Sequence, residues 1–375
     1  MPPLSLYIHF PWCVRKCPYC DFNSHAVKQG IPEQAYIEAL LTDLDQELLH
    51  LPEPRPLNSI FMGGGTPSLF SAASLENLLK GIAERIPLAS DCEITLEANP
   101  GTVEAAKFVD FYRIGINRLS IGIQSFNDQH LQALGRIHTA ADAQQAIAIA
   151  KAAGFDNFNL DLMFGLPQQT LQQALEDIDT AIGFQPSHLS FYQLTLEPNT
   201  YFYRYPPVLP EDDDLYSMQQ ACQQQLAAYG YIQYEISAYA KHGQQARHNL
   251  NYWQFGDYLG IGAGAHGKLS LQLPDKILRT SKPKNPEQYL AGLPGNREPI
   301  ATEQLPLEYV MNQLRLKAGF SRQHFRQMTG LAETALQPAL ADCLQSGLLT
   351  EEADQIRCSD RGWDFLDEIL QRFYI

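Results

Sequence analysis

Cys13, Cys17 and Cys20 stand in a CxxxCxxC spacing directly after an apolar run, in Cys13-Val14-Arg15-Lys16-Cys17-Pro18-Tyr19-Cys20. Thiolates that close together, on a turning chain, can hold a [4Fe-4S] cluster, yet three of them ligate only three of its four irons. An open iron marks a cluster that binds something, and S-adenosylmethionine (AdoMet) is the small molecule with a chemistry to match. With seven cysteines in 375 residues, this spacing arises by accident with a chance of roughly 0.002. Two rival readings exist. A zinc site would want a fourth ligand, which His25 could supply, and three unconnected thiols would need none.

Further residues could complete such a site. Gly63-Gly64-Gly65-Thr66-Pro67 offers bare backbone N–H and C=O groups to a polar ligand such as the amino and carboxylate ends of AdoMet, although a glycine run is by itself only a tight turn. Glu97, Gln124, Arg136 and Asp161 supply donors and acceptors for ribose, carboxylate and amino groups. The plain alternative for each is a polar cap or a salt bridge at a strand end. His248, near Tyr252 and Trp253, puts an imidazole among large aromatic faces, which suits a flat apolar ligand whose iron takes an axial nitrogen. A packed or surface histidine is the commoner outcome of that pattern, and His266, in Gly260-Ile261-Gly262-Ala263-Gly264-Ala265-His266-Gly267, carries the same ambiguity.

These residues need a scaffold. Residues 4–10 read as a buried strand from whose C-terminal end the cysteine loop leaves. Residues 59–62, 93–98, 118–124, 157–164 and 188–194 repeat the pattern, with helical spacing between them, as in Tyr36, Ile37, Leu40, Leu41, Leu44 and Leu48. Six strand–helix alternations imply an α/β protein with a parallel sheet. Eight would close a full barrel. Six suit an open six-stranded barrel or a doubly wound sheet, and in both a ligand sits at the C-terminal ends of the strands, where the cysteine loop, the glycine run, Glu97, Gln124 and Asp161 fall.

From about residue 197 the character changes. The chain divides into a core over 1–200, an extension over 201–282 carrying the His248 and His266 stretches, a Pro-, Gly- and Asn-rich linker over 283–299, and a C-terminal unit over 300–375. That last unit alternates helices with a short strand pair, as a small, mostly helical, winged-helix-like domain does. Winged helices often bind DNA, but 27 basic against 42 acidic residues, a formal charge of −15, argue against a nucleic-acid partner. Packing over the barrel is the expected use. The N-terminus has no basic-then-apolar signal, and no apolar stretch nears the ~20 residues that cross a bilayer. Cys92, Cys222, Cys343 and Cys358 are scattered singly, so a reduced, cytoplasmic protein is expected.

Taken whole, the sequence resembles the radical AdoMet (radical SAM) superfamily, and within it the family related to oxygen-independent coproporphyrinogen III oxidase, most closely its haem chaperone branch. The likeness runs over nearly all 375 residues, through Tyr7-Ile8-His9-Phe10-Pro11-Trp12-Cys13, the run from Gly63 to Pro67, Glu97-Ala98-Asn99-Pro100, Gly122-Ile123-Gln124-Ser125-Phe126, Asp161-Leu162-Met163-Phe164-Gly165-Leu166-Pro167 and His248-Asn249-Leu250-Asn251-Tyr252-Trp253. It implies an open (β/α)6 barrel, a partial TIM barrel, holding [4Fe-4S] on Cys13, Cys17 and Cys20. Tyr7, Gly64, Gly65, Thr66, Glu97, Gln124, Arg136 and Asp161 fall at AdoMet-contacting positions. In the superfamily one electron from the cluster cleaves AdoMet to methionine and a 5′-deoxyadenosyl radical, while the protein supplies orientation and exclusion of water.

Two features depart from the oxidase pattern. Phe22 stands where the oxidase carries a further cysteine, and only twelve residues precede the motif. The pattern HNxxYW, matched by His248, Asn249, Tyr252 and Trp253, belongs to the chaperone branch and is linked there to haem binding, which implies His248 as a haem ligand and His266 as a second candidate. The resemblance therefore implies a carrier that takes haem as cargo for haem-requiring proteins, working peripherally at the membrane where those recipients are membrane-bound. The alternative is an enzyme that oxidatively decarboxylates coproporphyrinogen III to protoporphyrinogen IX without oxygen. Catalytic residues, recipients and homodimer formation are not legible.

Overall fold

The computed structural model describes residues 1–28, 30–51 and 53–374. Six strands, β1 (Leu4–Phe10), β2 (Leu57–Gly64), β3 (Leu88–Ala98), β4 (Arg118–Gln124), β5 (Phe158–Phe164) and β6 (His188–Gln193), lie side by side in that order, all parallel. Helices α1 (Glu33–Leu48), α2 (Ala72–Arg85), α3 (Phe108–Arg113), α4 (Ala140–Ala152) and α5 (Leu171–Gly183) form the crossovers. Their starts are locally encoded. Ser71 caps α2, and Thr139 and Thr170 form capping boxes with Asp142 and Gln173 on α4 and α5.

Each strand sorts its side chains by a period of two. On β1 the apolar set Leu4, Leu6, Ile8 and Phe10 joins the helices in one large hydrophobic cluster, as do Ile94, Leu96 and Ala98 on β3 and Leu119, Ile121 and Ile123 on β4. The alternate positions are polar or aromatic and meet one another inside the curve of the sheet: Ser59 donates to Ser5 at 2.8 Å, Tyr7 stacks on Phe61, and Asn159 bonds both Ser120 and His188. The interior is thus a polar column enclosed by an apolar shell.

The sheet does not close. Beyond β1 it continues through β7 (Asp257–Ile261), which is parallel to β1, and then antiparallel β8 (His266–Gln272), β9 (Lys276–Ser281) and β10 (Asn296–Pro299); beyond β6 come two short strands, Ala238–Ala240 and Ile232–Gln233. The result is a partial, open barrel rather than a doubly wound sheet. Helix α6 (Asp212–Ala228) packs beside α5, and α7 (Arg247–Trp253) runs under the strands.

Residues 260–267, read as a small-residue turn where backbone can come close to another element, join the end of β7 to the start of β8, which approach so closely that a Cβ on Gly260 would come within 1.9 Å of the His266 carbonyl oxygen. Residues 283–299, read as a linker, hold helix α8 (Pro286–Leu290) and the edge strand β10. Both elements are too short for composition to reveal. The C-terminal unit comprises helices α9 (Leu305–Gln313), α10 (Arg322–Thr329), α11 (Ala339–Gln345) and α12 (Leu366–Arg372), with β11 (Phe320–Ser321), β12 (Leu349–Glu352) and β13 (Gln355–Cys358) as a three-stranded sheet. Its apolar cluster takes in Phe255 and Ile277 from the barrel side, so the two parts share one core. Among the described residues no helix is long and apolar enough to cross a membrane.

Candidate functional site

A cavity of about 400 Å³ opens at the C-terminal ends of the strands. Its walls include Cys13, Cys17 and Cys20 with Gly64, Gly65, Thr66, Glu97, Gln124, Arg136 and Asp161, so ten of the eleven expected cluster and AdoMet residues converge there. The exception is Tyr7, which lies one layer deeper, its hydroxyl 2.8 Å from His9 Nδ1 and its ring stacked on Phe61 at 6.0 Å.

Each sulfur of the motif has its own polar neighbour. Thr66 Oγ1 donates to Cys13 Sγ at 3.4 Å, Arg136 Nη1 to Cys17 Sγ at 3.7 Å, and Ser24 Oγ lies 3.8 Å from Cys20 Sγ. In the thiol state burial pushes the Cys13 and Cys20 pKa values up. Sulfurs that become thiolates on metal therefore already have donors aimed at them, as ligating groups require. The loop is fixed from outside as well: Asn23 Nδ2 donates to the carbonyls of Ala263 and Lys284, both at 2.9 Å, and its own carbonyl receives His9 Nε2 at 2.8 Å. His25, the ligand a zinc site would borrow, has Nε2 directed at Asn23 Oδ1 (3.2 Å) and the Lys284 carbonyl (3.3 Å). Among the described residues no three His, Cys, Asp or Glu side chains converge on a single ion. The donor set fits a polynuclear cluster better than tetrahedral zinc.

The glycine run behaves differently from its sequence reading. Its N–H groups at 64–66 are not free for a ligand: Gly64 donates to Glu97 Oε2 at 3.0 Å, and Gly65 and Thr66 donate to the Phe10 and Trp12 carbonyls, each at 2.7 Å. Glycine is needed for close packing. Gly64 has φ +108°, and a Cβ there would lie 2.4 Å from the His9 ring.

Arg136 and Asn99 tie the loops together. Arg136 Nη2 donates to Asn99 Oδ1 and to the Gly122 carbonyl, both at 2.7 Å, while Asn99 Nδ2 reaches Thr66 Oγ1 at 3.0 Å; Arg136 Nε is left without a partner. Gln124 ends β4 with φ +71°, a left-handed conformation that a non-glycine residue adopts at a cost, and its amide oxygen accepts from Tyr192 at 2.9 Å. Glu97 and Asp161 line the same cavity. Burial, then the charge of Asp161, pushes the Glu97 carboxyl up to about 8, and burial also raises Asp161 despite hydrogen bonds from Ser190, Asn159 and Ser120. A cationic ligand placed beside them would favour their ionised forms and offset that burial penalty. Asn99, Tyr19 and Tyr192 were missed as wall residues. Asn99 sits within the Glu97-Ala98-Asn99-Pro100 stretch, so the signal was present, whereas nothing in sequence singles out Tyr192.

His248 and His266 stand apart from this cavity. His248 lies on α7 in the floor of the barrel, 5 % exposed, stacked on Phe61 at 4.1 Å. Glu93 Oε1 accepts from the Arg247 N–H at 2.9 Å and from His248 Nδ1 at 3.1 Å. Burial alone would raise the Glu93 carboxyl, but the His248 hydrogen bond and the Arg118 charge outweigh it and hold it at about 2; burial lowers the His248 pKa, and because the Glu93 carboxylate can only accept, Nδ1 is the donor. His266 is exposed at the start of β8.

Residues 7–181 match the model of the radical SAM superfamily, and residues 300–365 match the HemN C-terminal domain. The chain is 51 % identical over its whole length to a protein of Escherichia coli strain K12 named Heme chaperone HemW, covering 98 % of that protein, and 52 % identical to the protein of the same name from Haemophilus influenzae, again covering all of this chain and 98 % of that one. The Bacillus subtilis protein of that name is 34 % identical over 98 % of each chain. In fold, the coproporphyrinogen III oxidase HemN from Escherichia coli superposes with a TM-score of 0.83 at 22 % identity, over 99 % of this chain and 90 % of that one.

Proposed function

Because the chain belongs to the radical SAM superfamily and, along its full length, to the Heme chaperone HemW family, we propose that it is a haem carrier whose cluster and AdoMet site govern loading or release of the cargo. Cys13, Cys17 and Cys20 would hold a [4Fe-4S] cluster with one iron open to AdoMet. When bound, the pair supplies one-electron cleavage chemistry of its own.

The chain's residues do the rest. Arg136 and Thr66 donate to sulfur and so favour the thiolate form. Glu97 and Asp161, in the same cavity wall, would ionise against the positive end of AdoMet. Tyr19, Met163 and Tyr192 give the wall its large apolar faces. Haem-requiring proteins, membrane-bound ones included, are the recipients this reading implies.

The observation that supports the cofactor half is the separate polar neighbour beside each of the three sulfurs. The decisive experiment is anaerobic reconstitution followed by iron and sulfide analysis, EPR with and without AdoMet, haem titration and an assay for coproporphyrinogen turnover. We expect about four irons per chain, an AdoMet-induced change in the spectrum and stoichiometric haem uptake without turnover. Zinc in place of iron would overturn the cluster assignment, and turnover of coproporphyrinogen would establish the enzyme alternative.

A further inference from the structure

We propose that Asn159, His188 and Tyr234 are positioning residues for the AdoMet site, forming a one-way column of hydrogen bonds that runs from α7 to the Asp161 carboxylate and ties that helix to occupation of the cavity; this rests on the AdoMet half of the reading above. None of the three lines the cavity, yet all are buried in the barrel interior beneath its wall.

The direction of the column follows from its donors and acceptors. An ionised Asp161 can only accept. Asn159 Nδ2 therefore faces it, donating to Asp161 Oδ1 at 2.7 Å and to Ser120 Oγ at 2.8 Å, while the Ser120 hydroxyl donates to Asp161 Oδ2 at 3.2 Å. That leaves Asn159 Oδ1 to accept, from Ser190 Oγ at 3.1 Å and from His188 Nδ1 at 2.6 Å. Burial, then the charges of Arg118 and His248, push the His188 pKa well below its ordinary value, so at neutral pH the ring has a single N–H. With Nδ1 donating, Nε2 must accept, and the Tyr234 hydroxyl donates to it at 2.8 Å. Asn249 Nδ2, on α7, donates in turn to the Tyr234 oxygen at 3.5 Å.

Head-to-tail bonds polarise one another in a dry interior, so each donor upstream makes Asn159 a better donor to the carboxylate. The other ionisable groups that bear on Asp161 are Arg118 on β4, Glu97 on β3 and Tyr192 on β6, and of these only Arg118 favours its ionised form. A cationic ligand that selects the carboxylate thus tightens the whole column as far as Asn249, and protonation of Asp161 slackens it. An amide cannot pass a proton on, so the column transmits polarisation, and a proton that Asp161 releases leaves through the cavity. The Glu93 contacts hold the same helix, but Glu93 is not part of the cavity wall. The column is, and α7 carries His248.

The test uses the anaerobically reconstituted, cluster-loaded full chain. Calorimetry gives AdoMet affinity, hydrogen exchange of α7 is compared with and without AdoMet, and imidazole nitrogen NMR gives the His188 tautomer, with the His188→Gln spectrum supplying the assignment. Tyr234→Phe removes one hydroxyl from the column. Tyr231→Phe is the control, since it removes a buried hydroxyl from the same segment that donates to the Pro186 carbonyl instead. We expect AdoMet-bound wild type to carry its His188 proton on Nδ1 and to exchange more slowly in α7 than the empty protein. Tyr234→Phe should load iron normally, bind AdoMet roughly threefold to tenfold more weakly and lose the AdoMet-induced slowing, while Tyr231→Phe matches wild type. Unchanged affinity or unchanged slowing in Tyr234→Phe, an equal loss in Tyr231→Phe, or a wild-type His188 protonated on Nε2 would overturn the column and leave the AdoMet reading standing. The tautomer needs no substitution, so it decides the matter if Tyr234→Phe does not fold. Failure of wild type to bind AdoMet would overturn the AdoMet reading itself.

Discussion

Glu97 couples the cavity to pH. Its carboxyl is held at about 8 against an ordinary 4.5, so between these values the empty folded protein keeps a proton that the unfolded chain has lost, and the stability of the empty fold falls as pH rises. A cationic ligand reverses this preference by expelling the proton. AdoMet affinity should therefore rise with pH, by up to about tenfold per unit, and level off near pH 8; Glu97→Gln should flatten the profile, as calorimetry at several pH values would show. Glu93 has the opposite sign. Held at about 2, it stabilises the fold above its ordinary 4.5 and loses that contribution as pH falls toward 2. Removing its partner in His248→Ala should cost roughly 3 kcal/mol in urea denaturation at neutral pH and move acid unfolding to higher pH. At this scale the chemistry was legible wherever spacing declares it. Three cysteines announce a cluster because their separation is local, whereas His248 acquires its meaning from Glu93, a residue 155 positions away.

Elements were legible where periodicity is strong. All six barrel strands were readable because each alternates a helix-facing apolar set with an inward polar one. The seventh parallel strand β7, the edge strand β10 and the role of α7 were not, because each is short and takes its register from distant partners. The turn after β2 shows how an element constrains the site. Its glycines allow the chain to pass against His9 and the carbonyls of Phe10 and Trp12. Gly64→Ala should cost at least about 1 kcal/mol, push the His9 ring from Asn23, and lower the iron content of reconstituted protein along with its AdoMet response. Gly115→Ala is the control. Gly115 has φ +99° with nothing within 4 Å of a new Cβ, so it carries backbone strain without the collision and should load iron normally.

On the scale of the whole molecule, the C-terminal unit is a structural part of the barrel. Phe255 and Ile277 are buried in its apolar cluster, Arg315 lies 4.3 Å over Trp253, and the Lys317 N–H donates to the Tyr234 carbonyl at 3.0 Å. A chain ending at residue 299 would expose that seam, so we expect it to elute as aggregate in size-exclusion chromatography and to bind a hydrophobic dye; a soluble monomer with a cooperative melt would contradict this.

The tether on the cysteine loop carries a consequence for how the protein is made. Asn23 is fastened to residues 240 and 261 positions further along, and β1 has β7 as one of its two neighbours. A ribosome thus releases the three thiols long before it has produced what will seat them. On the proposed cluster reading, iron insertion is expected only after the chain has been made as far as Lys284, and a nascent chain stalled before that point would leave its cysteines open to oxidation and to stray zinc.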